Sequence, residues 1–181
     1  MTSARLDAPK PLSPARAILL GTLVVGVLDI SDAMIFFGIR VGAQPIRIFQ
    51  SIAAGLVGRE AARGGGVPTA ILGGCLRFLI AFCIVSTFYL VSWKVEALTR
   101  HPVWFGMAYG IAVYFVMNLV VVPLSAVTPG TFPPPPPILV NGLLIHAFGV
   151  GLPSALFARR ARKAAPMSGP HPLDIPVTPA G

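Results

Sequence analysis

Between Arg100 and Arg159 the chain contains no Asp, Glu, Lys or Arg, a stretch of 58 residues (101–158) without a formal charge. A soluble fold cannot cover its surface with so little polar material. Over all 181 residues, 55% are hydrophobic and 11% charged, against roughly 25% charged in ordinary soluble domains. The expected class is all-α: an integral membrane four-helix bundle with an additional interfacial amphipathic helix between spans one and two.

Walking the chain, residues 1–14 are polar and Pro-rich and read as a disordered cytoplasmic tail. The transmembrane domain is expected over 15–160, with spans at about 15–38, 67–93, 102–124 and 138–158. Residues 161–181 read as a basic, then Pro-rich, cytoplasmic tail. The first apolar run is long enough for a spanning anchor, and its uninterrupted part, Ala17–Leu28, also suits a signal-peptide core. The chain turns apolar again directly after Asp32, without a clean small-x-small cleavage site, so a retained span is expected.

Residues 44–62 are too short and too charged to cross. There Phe49, Ile52, Ala53 and Leu56 share one helical face, with Arg47, Gln50, Ser51 and Gly58 opposite; an interfacial or re-entrant helix fits both features. The run Pro133–Pro137 predicts a stiff, extended polyproline connector between spans three and four.

The net charge of +8 does not point to nucleic acid, because the basic residues cluster at the ends of apolar runs, as they do when orienting helices in a bilayer. With the N-terminus in the cytoplasm, the inner side holds nine basic residues: Arg5, Lys10, Arg16, Lys94, Arg100, Arg159, Arg160, Arg162 and Lys163. The outer side holds four: Arg40, Arg47, Arg59 and Arg63. Both termini are therefore expected in the cytoplasm. The lipid bilayer is the expected partner, with anionic lipids near Arg159, Arg160, Arg162 and Lys163.

Small residues at four-residue spacing mark close helix approaches: Gly106 and Gly110 in span three, Ala70 and Gly74 in span two, Ala17 and Gly21 in span one. The Gly106/Gly110 pair also motivates a homo-oligomer, since one four-span chain leaves little room for a transport pathway. Cys75 and Cys83 lie about 12 Å apart along a helix, too far to bridge. They read as small packing residues.

The informative residues are polar groups within the spans: Asp29, Asp32, Arg77, Asn118 and His146. A charge at the membrane centre costs about 2.5–3.5 kcal/mol, so each must face the bundle interior or a polar partner. Measured from the span centres, Asp29, Arg77 and His146 lie about 3–5 Å outward, and Asp32 and Asn118 about 7–8 Å outward. Polar groups of all four spans thus share one layer. The structural reading pairs Arg77 with Asp29 or Asp32, the amide and imidazole satisfying the remaining donors and acceptors. The functional reading notes two carboxylates for one guanidinium: two close like charges cannot both ionise cheaply, so one would bind a proton reversibly, and His146 would extend a proton or cation path. No HExxH, GxSxG or paired His is present; no enzyme activity, cofactor or metal is expected.

The pattern His101-Pro102-x-Trp104-x-Gly106, then Met117-Asn118, Val122-Pro123-Leu124 and Thr128-Pro129, with Gly142 and His146 following, resembles small bacterial inner-membrane proteins of the YagU-like type. Gly58-Arg59-Glu60 resembles a turn of that group. The resemblance implies a multi-span inner-membrane protein and carries over no catalytic residue. It does not extend to Pro133–Pro137 or the basic tail.

Overall fold

The computed structural model describes residues 12–127 and 130–164. The N-terminal tail up to residue 11, Thr128-Pro129 and the Pro-rich tail from residue 165 lie outside them.

All regular structure among the described residues is helical. The first long helix, α1 (Pro14–Val41), starts where the Ser13 side chain accepts the Arg16 N–H at 3.4 Å and Pro14 takes the first turn. It stops at Gly42, whose φ of 65° is a left-handed cap that a side chain would strain. Two short helices follow, α2 (Pro45–Val57) and α3 (Arg59–Gly64), separated by Gly58 at φ 82°. The chain then returns through α4 (Gly66–Lys94) and turns in α5 (Ala97–Arg100). Helix α6 is built of Pro102–Val116, a π-helical segment Met117–Val121 and a last turn Val122–Leu124. Helix α7 runs Pro136–Leu144, passes through a π-helical segment Ile145–Gly151, and ends with Leu152–Ala164.

Four of these helices (α1, α4, α6 and α7) are long and apolar enough to cross a membrane. They form an up-down bundle with α2 as a shorter apolar helix at one end, which we call the α2 face. The other end, where α4 and α7 finish, is the terminal face. Helix α1 packs between α4 and α7, and α6 lies mainly against α7. The bundle perimeter is apolar: Leu19, Ile39, Trp104 and Leu124 are 61%, 84%, 76% and 82% exposed. Such a girdle suits hydrocarbon and not water.

The helices meet at small residues. A Cβ on Gly110 would run into the His146 carbonyl of α7, and one on Gly106 would stand 2.9 Å from Ala155 Cβ. This pair is used inside the chain, so it does not supply the surface for a second copy. In α1, Ala17 is buried and a Cβ on Gly21 would stand 2.9 Å from Val85. In α4 the closest approach falls one residue before the expected Gly74. A Cβ on Gly73 would strike the Phe49 backbone of α2, whereas one on Gly74 would make only ordinary contact with the Phe49 ring at 3.7 Å.

Three other expectations are corrected. Only the first part of the proline run is a connector, because Pro136 and Pro137 form the first turn of α7, where a missing N–H costs nothing. On α2, Leu56 is 61% exposed while Gln50, expected on the solvent side, is 3% exposed. Gln50 turns inward because Gly66 and Thr69 of α4 offer its amide oxygen acceptors at 2.9 and 3.5 Å. Cys75 and Cys83 are exposed free thiols on the outside of α4 rather than packing residues.

At the terminal face, Phe88, Tyr89, Ala155, Ala158 and Ala161 form a buried cluster with Ala17. Arg162 donates to the Ser92 carbonyl and lies 3.5 Å from the Thr99 hydroxyl. It thereby satisfies a carbonyl that the last turn of α4 leaves without a helical partner.

Candidate functional site

All five intramembrane polar residues singled out in the sequence line one cavity of about 510 Å³ that lies between the long helices and α2. They arrive on four segments, one from each long helix. Asp29 and Asp32 stand one turn apart on α1, Arg77 in the first half of α4, Asn118 in the π segment of α6, and His146 in that of α7.

The two carboxylates have different partners. Asp29, 5% exposed, forms an ion pair with the Arg77 guanidinium. Asp32 Oδ2 accepts from Asn141 Nδ2 at 2.8 Å, a neutral donor on the first turns of α7. Thus α1 is tied to α4 by a charge pair and to α7 by an amide. Asn141 is the residue the sequence reading missed. The available signal was its place inside the fourth apolar run, in Leu139-Val140-Asn141-Gly142, where an unpartnered amide would be costly.

Asn118 and His146 do not fill the leftover valences of that pair. Asn118 Nδ2 donates to the Tyr114 carbonyl at 2.8 Å, one turn back on its own helix. His146 Nδ1 sits 2.9 Å from the Gly142 carbonyl, likewise four residues back. A carbonyl can only accept, so Nδ1 carries the hydrogen and Nε2 of the neutral ring is the acceptor. Both bonds fall where α-helical pairing gives way to the π-helical segment, so the side chains serve carbonyls at a change of pitch. The Tyr114 ring meets the imidazole edge-on, with centroids 5.3 Å apart, and holds its orientation.

A second cavity, of about 120 Å³, lies on the other side of the same groups and shares Asp29, Arg77, Asn118 and His146. Val25, Ala81, Val85 and Val150, each displaced from the polar groups toward the terminal face, form the apolar cluster that follows. The polar layer therefore has its larger open volume toward α2 and, toward the terminal face, a small cavity lined by Val25, Ala81 and Val150 of that aliphatic cluster. Among the described residues, no group of three or more His, Cys, Asp or Glu side chains is placed to hold a metal ion.

Comparison of the chain with protein-family models, with curated proteins and with solved structures finds no match.

Proposed function

We propose that this chain is a small multi-pass protein of the bacterial inner membrane with both termini in the cytoplasm, and that its polar cavity binds or conducts a proton or small cation through Asp32. The observation that carries the reading is the unequal partnering of the two acids. The Arg77 guanidinium is taken by Asp29, which leaves Asp32 bonded to a neutral amide and without an ion pair in the larger cavity, whose lining on the α2 side also includes Arg47. An intramembrane carboxylate with open volume beside it and no cationic partner is a place where a proton or cation lowers the cost of the charge. His146, with Nε2 as acceptor in the same cavity, extends that path. The two π-helical segments at Asn118 and His146 also support a site, since such distortions give up regular backbone pairing.

The resemblance to YagU-like proteins and the distribution of basic residues support the placement and the orientation. Anionic lipids at Arg159, Arg160, Arg162 and Lys163 would complete the cytoplasmic anchor. We assign no enzyme activity. Conduction, as opposed to binding, would call for a homo-oligomer that uses a surface other than Gly106/Gly110.

An accessory role is the second reading, favoured by one observation: each carboxylate has a partner within the chain, so the layer also fixes the register of α1 against α4 and α7. Two measurements on the full-length protein separate the readings. Infrared spectroscopy across pH should show a protonated-carboxyl band that disappears in Asp32→Asn. Liposomes containing the protein should dissipate an imposed proton or alkali-cation gradient faster than empty ones, and Asp32→Asn should abolish the difference. Absence of both effects would leave the accessory reading in place.

A further inference from the structure

Outside the polar layer, a cavity of about 820 Å³ opens at the α2 face between α2 and α3. It is lined by Arg47, Arg59 and Arg63 together with Gln50 and Ser51. Over residues 40–66 the chain carries four arginines (Arg40, Arg47, Arg59, Arg63) and one acid, Glu60. Glu60 does not line the cavity.

The arginine at the centre of this region is positioned by neutral groups. Arg47 Nη1 donates to Gln50 Oε1 at 3.0 Å and to the Arg63 carbonyl at 3.4 Å. Gln50 is itself held by the Gly66 carbonyl at 2.9 Å. Thr69, 3.5 Å from the Gln50 amide, is fixed in turn by donating to the Ala62 carbonyl at 2.6 Å. This chain of bonds spends a buried glutamine on orienting a guanidinium without neutralising it. Neither Arg47 nor Arg63 makes an ion pair among the described residues. A purely structural arginine would be expected to meet a carboxylate. The guanidinium groups of Arg47 and Arg63, which line an open cavity without an ion pair, fit an oxygen-rich anion, and their planar forks match phosphate best.

The distribution of charge along the chain adds a separate argument. In the orientation proposed above, this loop lies on the side where basic residues are scarce in membrane proteins. Four arginines there are not explained by helix orientation, which they oppose.

We infer that the cleft between α2 and α3 is a phosphate-binding site in which Arg47 and Arg63, with Arg59 in the same lining, hold the phosphate of a lipid headgroup or of a small soluble phosphate compound. The cleft shares Arg47 and Ser51 with the lining of the polar cavity, but phosphate binding there requires neither a proton nor a cation at Asp32.

The test uses the full-length protein in mild detergent with two probes. Native mass spectrometry measures retention of phosphatidylglycerol against phosphatidylcholine, and thermal unfolding measures stabilisation by inorganic phosphate against chloride at equal ionic strength. Each arginine removed in Arg47→Gln or Arg63→Gln should weaken the bound probe about fivefold, and the double variant by their product, given about 1 kcal/mol per basic residue near an anionic surface. Lys94→Gln, at the opposite end and outside the basic cluster assigned to anionic lipids above, should leave the retention of either probe unchanged. Selective retention of phosphatidylglycerol identifies a lipid headgroup, whereas stabilisation by inorganic phosphate identifies a soluble ligand. Where loss of Arg47 disturbs the fold, Arg63→Gln alone decides, because the bond to Arg47 uses its backbone carbonyl and not its side chain. The proposal fails if wild type binds neither probe, or if the arginine variants bind as wild type does.

Discussion

Asp29 and Asp32 are one helical turn apart and chemically identical, yet they occupy different electrostatic positions. Asp29 neutralises Arg77, and Asp32 meets only the Asn141 amide. Asp29→Asn should therefore lower the unfolding midpoint in mild detergent by several degrees, because a buried guanidinium left without its partner costs about 3–5 kcal/mol. Asp29→Asn combined with Arg77→Gln should cost much less than the sum of the two single changes, and a thermal double-mutant cycle measures that coupling. An additive cycle would mean that the pair contributes nothing to the fold. The five polar residues of this layer were legible in the sequence because hydrocarbon penalises polar groups so strongly that each one stands out. Their partners were not legible. Choosing Asp29 over Asp32 for Arg77 depends on helix rotation, and a neutral amide such as Asn141 draws less notice in an apolar run than a charge does.

The helices touch where side chains are absent. Gly110→Ala would force α6 away from the His146 carbonyl, and such overpacking costs about 1–3 kcal/mol. Gly74→Ala adds a methyl group at ordinary contact distance from Phe49 and should leave the midpoint within experimental error of wild type. Equal losses from the two substitutions would contradict the packing described. The spacing of small residues announced close approaches in the sequence but not their targets. The Gly106/Gly110 pair faces α7 rather than another copy, and Gly73 rather than Gly74 carries the contact with α2. The proline run divides for a similarly local reason: its last two residues suit the first turn of a helix whose first N–H groups lack helical partners in any case. Helix α2 departs most from its sequence pattern. Simple periodicity places Gln50 with the polar residues, but the acceptors on α4 that draw it inward are sixteen or more residues away.

At the scale of the molecule, the apolar perimeter and the four long helices place the chain in a membrane, and the basic residues propose which way it faces. A reporter active only outside the cytoplasm should be active when fused after Pro137 and silent when fused after Lys163. The reverse pattern would invert the orientation and place the arginine-lined cleft on the cytoplasmic side. The polar cavity is a property of this scale alone, since none of its walls is complete on one helix. The larger volume lies toward α2, and the smaller one toward the terminal face is bounded by Val25 and Val150, which belong to the aliphatic cluster beyond the polar layer.

The sequence by itself determined the class, the number of long helices and five of the polar residues that line the cavity. Each of these follows from the free energy of transfer into hydrocarbon, which acts on residues one at a time or on runs of about 20. The tertiary structure decided which carboxylate is neutralised, which glycine faces which helix, and that Gln50 orients Arg47 toward a cleft. Those outcomes depend on distances between segments remote in the chain, and a hydrogen bond or a close packing contact falls off within about an ångström, whereas hydropathy carries no such directional information.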